Sequence, residues 1–257
     1  MIHPTCIVHP DARIDDGAEL GPFCVIGARV EIAAGTTLKS HVVVHGPTRI
    51  GPNNRIFQFC SIGDDPQDKK YHAAGDSRLE IGSGNLIREY CSINRGTADG
   101  GGVTCIGNDN WIMAYVHVAH DCRVGNATVL ANNATLAGHV TVEDFATLGG
   151  FSGVHQFCRV GAYSFSAISS VIVKDIPPYV LVSGNTARPN GLNREGLRRH
   201  GFAAEEVEAL RRAYRILYRE GLLLQEAVQR LRELSGQSEH VARLVEFISS
   251  SERGIAR

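Results

Sequence analysis

Aliphatic residues recur at every sixth position of this chain. Positions 2, 8, 14, 20, 26, 32, 38, 44, 50, 56 and 62 are all Ile, Val or Leu. The phase is lost, then returns at Ile81, Ile87 and Ile93, and again at Ile106. From Ile106 it holds to Val160, skips at Ser166 and closes at Ile172, so 25 of 26 slots are aliphatic. The position two before each slot is small: Cys6, Ala12, Ala18 and Cys24 early, Cys122, Thr128, Ala134 and Cys158 late. Glycine often follows the slot, as at Gly21, Gly27, Gly51, Gly107 and Gly161, and suggests tight turns there. A period of six belongs neither to a helix nor to an alternating strand. It fits a coil of three short strands and three corners, 18 residues in all. Stacked at a strand spacing of ~4.8 Å, about nine such coils make a prism roughly 40 Å tall.

The pattern therefore predicts a mainly β chain, a parallel β-helix of hexapeptide repeats over residues 1–177. Two phase breaks predict loops near 64–80 and 94–105. The first carries Asp64-Asp65-Pro66-Gln67-Asp68-Lys69-Lys70-Tyr71 and the second Asn94-Arg95-Gly96-Thr97. After Pro177-Pro178 the period changes. Leu210, Tyr214, Leu217 and Tyr218 share one helical face. Leu224, Val228 and Leu231 suggest a second helix, and Val241, Leu244, Val245 and Ile248 a third. Residues 178–257 thus form a C-terminal α-helical domain.

Composition narrows the function. The 257 residues carry a formal net charge of -1, which argues against a nucleic-acid binder. No apolar run reaches the ~18 residues of a membrane span. The start Met1-Ile2-His3-Pro4 has no secretory signal, which suggests a cytoplasmic protein. The helical tail holds 13 Arg and no Lys against 10 Glu, and is mildly basic. Only 7 % of residues are aromatic, as a thin stacked core requires. Six of the seven cysteines (Cys6, Cys24, Cys60, Cys91, Cys122 and Cys158) occupy the small slot, which points to packing rather than thiol chemistry. Cys105 lies outside it, with no base nearby.

Histidines are the remaining chemical candidates. In the 18-residue register His120 lies beneath Gly138, beside His139, with Gln156 one coil higher. His120, Gly138, His139, His155 and Gln156 should then share one seam. The strings His117-Val118-Ala119-His120-Asp121, Leu130 through His139, Val154-His155-Gln156-Phe157 and Pro177-Pro178-Tyr179-Val180 resemble those of the acyl-carrier-protein–UDP-N-acetylglucosamine O-acyltransferases of lipid A biosynthesis. The resemblance runs from Val8 to Arg257.

That resemblance implies a left-handed helix and a homotrimer with sites between neighbouring prisms. It also implies transfer of a 3-hydroxyacyl chain from acyl carrier protein to the glucosamine 3-hydroxyl, without a cofactor or a metal. By the same resemblance His120 is the general base, Asp121 its orienting partner and Gly138 N–H the oxyanion donor. His117, His139, His155 and Gln156 would position acyl and sugar groups. Asp68 and Lys70 match sugar-nucleotide contacts, and Asn193, Glu195 and Arg199 nucleotide contacts. Ile168 stands at the position that limits acyl length. Its branched side chain implies a chain near 3-hydroxydecanoyl. Asn94, Thr186 and His200 depart from the common pattern and bear on sugar contacts, including whether the acceptor offers oxygen or an amine.

Plainer readings stand beside these. Asp68 and Lys70 also fit solvated loop charges, and Glu195 with Arg199 a helical ion pair. His117, His120 and His139 could be imagined as the three ligands of a trimeric γ-carbonic-anhydrase-like zinc hydratase. A non-enzymatic scaffold would tolerate loss of His120. Asp121 follows His120 directly, and adjacent strand residues point to opposite faces, so their contact requires a corner.

Overall fold

The computed structural model describes residues 1–71, 77–236 and 238–257. The hexads form a three-sided prism whose faces are sheets of nine, eight and ten strands, parallel throughout except for the last strand of the ten. Most strands are two residues long, and each pairs with those one coil away. Val25 pairs with Ile7 below and Val43 above, a register of 18. The slot residues point inward and form one continuous column, with Ile26, Leu38, Ile50, Ile62, Ile93, Ile112 and Leu130 each at most 1 % exposed. Burying such a side chain contributes ~1.5–3 kcal/mol, so the repeat is its own core. Ser166, the odd slot, is also buried. Its hydroxyl pairs with Ser152 Oγ at 2.9 Å and accepts Gly149 N–H at 3.1 Å.

At many of the corners the chain passes through a single left-handed residue, and few of these are glycine. One corner carries Phe23, His41, Phe59, Tyr90 and Tyr115 at φ 58–65°. Their rings stack with centroids 4.9–5.2 Å apart. The second carries Phe145, Tyr163 and Tyr179, and the third Asp121, His139 and Phe157. The aromatics that the core cannot hold are therefore displayed along its edges. The glycines after the slots answer to a different constraint from the one expected. A Cβ on Gly51 would stand 2.6 Å from Gly82 O, and one on Gly161 2.4 Å from Pro178 N. Close approach of the next coil excludes a side chain there, and φ is not positive at either residue.

The small-slot cysteines are packing groups. Cys24, Cys60, Cys91, Cys122 and Cys158 are at most 1 % exposed. Each thiol of Cys6, Cys24, Cys60, Cys91 and Cys122 donates to a main-chain carbonyl of the next coil at 2.9–3.1 Å. Burial pushes the Cys122 thiol up to about 12, far from a thiolate at neutral pH. A disulfide-exchange reagent should titrate no more than Cys6 and Cys105 in the native protein, and all seven thiols in denaturant. A third fast thiol would contradict this burial.

Both loops are shorter than the broken hexads imply. Strands Ser61–Asp64 and Arg78–Ile81 close in on the first, and Ser92–Asn94 and Val103–Ile106 on the second. Residues 72–76 of the first loop lie outside the described residues. Inside the prism a buried amide ladder runs past both insertions. Asn54 Oδ1 accepts the main-chain and side-chain N–H of Asn85, and Asn85 Oδ1 accepts both from Asn110, all at 2.9 Å. Asn110 Oδ1 accepts from Thr128 N and Oγ1 at 2.8 and 2.7 Å.

The β-structure continues beyond residue 177. Val180–Ser183 adds a parallel strand because Val180 and Val182 still bury into the column, and Arg188–Leu192 returns antiparallel. Helices follow: α1 Arg194–Arg199, α2 Ala204–Tyr218, α3 Leu224–Ser235 and α4 Glu239–Ser249. The three expected helices are α2–α4, which pack through Leu217, Leu231, Leu244 and Ile248. The tail seats on the prism where Phe247 lies 4.2 Å beneath the Arg159 guanidinium and Ser251 donates to Asp175 at 2.7 Å. No helix among the described residues is long and apolar enough to cross a membrane.

Candidate active site

His120 and Asp121 meet because they sit at a corner. Asp121 has φ 58°, and that left-handed turn swings its carboxylate back to His120, with Nδ1 to Oδ2 2.8 Å. The Asp121 side chain is 1 % exposed and that of His120 16 %. The carboxylate also accepts Thr97 N–H at 3.1 and 3.2 Å and the Thr97 hydroxyl at 2.6 Å. A carboxylate only accepts, so Nδ1 is the donor in this pair, and in the neutral imidazole Nε2 then carries the lone pair. That atom faces Gly138, one coil on. A Cβ at Gly138 would stand 2.7 Å from both Cε1 and Nε2, so the ring occupies the space that glycine vacates.

Gly138 is buried, and its carbonyl accepts Phe157 N–H at 3.1 Å. Its own N–H donates to no protein group among the described residues. The corner explains this. Main-chain N–H groups on either side, Ala137 and His139, bond to neighbouring coils, while the residue between them does not. A free donor thus stands beside a free imidazole nitrogen.

The expected seam resolves into neighbouring columns. His120, Gly138 and Gln156 stack in one. Asp121, His139 and Phe157 stack in the next, where His139 lies face to face with Phe157 at 4.5 Å and edge-on to His120 at 5.2 Å. Burial lowers the His139 pKa, partly opposed by Asp121, while Asp68 in the first loop is close enough to act on it as well. Burial and the neighbouring His120 lower that of His117, whose Nδ1 bonds Ser92 Oγ at 2.7 Å. Both rings are therefore neutral near pH 7. His155 belongs elsewhere: its Nδ1 meets Arg253 of the C-terminal segment at 3.1 Å.

The other candidates are spread out. Asp68 and Lys70 share a tight turn, with Lys70 N–H on Asp68 Oδ1 at 2.9 Å, and both are exposed. Asn193 caps α1, accepting Gly196 N–H at 3.1 Å and donating to Tyr163 O at 2.9 Å. Glu195 pairs with Arg198 and Arg199 at 2.8 and 3.0 Å, and these cations hold its carboxyl down to about 2. His200 packs edge-on against Phe145 and Tyr163, so α1 sits at the second corner. Ile168 is 70 % exposed beside Ser169, which belongs to the first corner. Within one chain the dyad, α1 and Ile168 occupy three different corners. Thr97, Phe157 and Arg253 are contacts that the sequence did not point to. The 18-residue register could have found Phe157 above His139; Thr97 lies in an insertion and Arg253 in the tail, where no register runs.

A family profile described as UDP-N-acetylglucosamine O-acyltransferase, domain 2, matches residues 175–256, and a bacterial transferase hexapeptide profile matches residues 5–40 and 106–138. The acyl-(acyl-carrier-protein)–UDP-N-acetylglucosamine O-acyltransferase of Thiobacillus denitrificans is 57 % identical over 100 % of this chain and 99 % of its own length. The Halorhodospira halophila protein of the same description is 52 % identical, with the same coverage. This chain belongs to the UDP-N-acetylglucosamine O-acyltransferase family. The solved Francisella novicida UDP-N-acetylglucosamine acyltransferase superposes with a TM-score of 0.98 at 46 % identity, covering 100 % of this chain and 94 % of the other. The prism of this acyltransferase is accordingly a left-handed parallel β-helix with a helical C-terminal region. The zinc-hydratase reading is not favoured. The grouped potential ligands of the acyltransferase at this corner are His120, Asp121 and His139, while His117 points to Ser92.

Proposed function

We propose that this acyltransferase moves a 3-hydroxyacyl chain from acyl carrier protein to the glucosamine 3-hydroxyl of UDP-N-acetylglucosamine, with His120 as general base. The relatives' descriptions supply the two substrates. The observation that carries the mechanism is the His120 ring packed against Gly138, whose N–H has no partner among the described residues, with Asp121 holding Nδ1. Nε2 takes the proton of the sugar hydroxyl as its oxygen attacks the thioester carbonyl. The resulting oxyanion accepts from Gly138 N–H. Collapse breaks the carbon–sulfur bond, and the thiolate of the carrier's prosthetic arm leaves with the proton from Nε2. The Asp121 carboxylate stabilises the imidazolium. No protein nucleophile and no cofactor enter, in keeping with thiols that are buried away.

His139 and Gln156 flank the reacting atoms and His117 lines the approach, while His155, held by Arg253, stands apart from them. Asp68 and Lys70 take the sugar nucleotide from one side. Arg199 and Glu195 take the nucleotide, with Asn193 seating both on α1. Arginine's fork of donors suits a diphosphate. Because the dyad and α1 stand at different corners of one prism, the complete site forms between chains, and a homotrimer closes three of them. Residues 178–257 serve as the second domain of this arrangement, its strands completing the prism and its helices following from Arg194. A cytoplasmic location goes with these two substrates.

Offered 3-hydroxyacyl carrier protein with UDP-N-acetylglucosamine or its 3-amino analogue, the enzyme should acylate the hydroxyl acceptor at the higher kcat/KM. Preference for the amine would overturn the acceptor assignment, and turnover of neither would overturn the reading.

A further inference from the structure

The inserted segment Asn94–Thr97 reaches both halves of the proposed site. Its first half grips the loop that carries Asp68 and Lys70. Asn94, 4 % exposed, donates from Nδ2 to Asp65 O at 2.8 Å and to Asp64 O at 3.3 Å. The Arg95 guanidinium donates to Gly63 O at 2.9 Å and to Tyr71 OH at 3.1 Å, and pairs with the Asp65 carboxylate. Its own main-chain N–H donates to Asp64 O at 3.2 Å. One side chain thus ties down both ends of the segment 63–71. Only a planar, multi-donor cation reaches three acceptors in this way.

The second half grips the dyad. All three hydrogen bonds that Thr97 directs at Asp121 come from its main-chain N–H and its hydroxyl. The loop is packed against the carboxylate: a Cβ on Gly100 would stand 2.2 Å from Asp121 Oδ2, and one on Gly96 2.3 Å from Val103 N. Between Arg95 and Thr97 lies a single glycine, so a shift at one end reaches the other with little slack.

We infer that Asn94–Thr97 is a positioning brace, which sets the sugar loop at a defined distance from the His120–Asp121 dyad. Arg95 positions the loop that binds the acceptor, and Thr97 positions the carboxylate that orients the base. Neither touches a reacting atom. This rests on the acyl-transfer reading above and adds to it the residues that keep its two halves in register.

The two ends predict different kinetic signatures. Arg95→Lys keeps the charge and loses the fork, so KM for UDP-N-acetylglucosamine should rise on the order of tenfold with kcat nearly unchanged. Thr97→Val keeps the shape and loses the hydroxyl, so kcat should fall roughly tenfold or more with KM nearly unchanged. Thr97→Ser should restore kcat. Thr97→Ala serves as a second probe if the valine variant folds poorly, and carries the same expectation. The measurement is steady-state kinetics on the full-length assembly, with melting temperature recorded alongside. Variants that change KM and kcat together, or leave both at the wild-type values, overturn the brace, as does a serine variant that fails to recover. His120→Ala separates the two levels of the argument. An active His120→Ala enzyme removes the acyl-transfer mechanism itself. An inactive one, with no split between Arg95 and Thr97, removes only the brace.

Discussion

Replacing His120 with alanine should cost this enzyme about 10²–10⁴-fold in kcat, with KM for either substrate changed far less. The ring contributes at the proton transfer and hardly at all to holding the sugar nucleotide. It is also a safe deletion for folding. Its contacts are to Asp121, to the edge of His139 and to the space above Gly138, and none belongs to the aliphatic column. The melting temperature should therefore stay near that of the wild type. Asp121 would keep the three donated bonds from Thr97, so its buried charge would not be left alone. A His120→Ala enzyme within tenfold of normal turnover would sink the general-base mechanism. It would leave the family membership intact and move the search for a base to His139, the next imidazole in reach.

The second large effect concerns chain length. With wild-type enzyme, kcat/KM should favour 3-hydroxydecanoyl over 3-hydroxytetradecanoyl carrier protein by ~10²-fold, and Ile168→Gly should reverse the order. The face between the third and first corners carries Thr135, Gly153 and Val171 outward, above a sheet of buried aliphatics. A Cβ at Gly153 would meet nothing within 4 Å, so this face has open room for a chain that starts at His120 and climbs. Ile168 stands 70 % exposed at the far edge of that face. Forcing extra methylenes against a branched side chain costs ~1–3 kcal/mol, the upper end of which corresponds to the ~10²-fold ratio. Competition between the two donors in a single reaction, read by mass, gives the ratio directly. Equal rates with both donors on the wild-type enzyme would refute the role of Ile168.

The prism was legible because one short rule governs 18 residues and then repeats. A slip of a single position would turn a buried aliphatic out to solvent, so the pattern survives in plain sight. The same rule places Gly138 against His120 from the 18-residue register alone. It stopped short of the contact between His120 and Asp121, since adjacency argues against it until the left-handed corner is known. The signal was present: residues three before a slot, among them Asp121, His139 and Phe157, recur in the left-handed region. Two elements left no such trace. Helix α1 is only six residues long with Gly196 inside it and Leu197 as its one buried side chain, so no periodicity could develop. Thr97 lies in an insertion, and its bond to Asp121 follows from how that loop folds back. Ser92, opposite His117, is a strand neighbour across the second insertion, 25 residues apart where the uninterrupted coil would give 18.

The amide ladder of Asn54, Asn85, Asn110 and Thr128 has a bearing on how such enzymes diversify. Each rung locks onto the next by two hydrogen bonds, whatever length of chain has left the prism in between. The ladder works as a ratchet that re-zeroes the count after each excursion. The excursions can then lengthen, shorten or change sequence without altering the height at which the later coils present His120 and Gly138. The column thus keeps its spacing across both insertions, and within them only the short stretch Asn94–Thr97, tied to the first loop at one end and to Asp121 at the other, is denied that freedom.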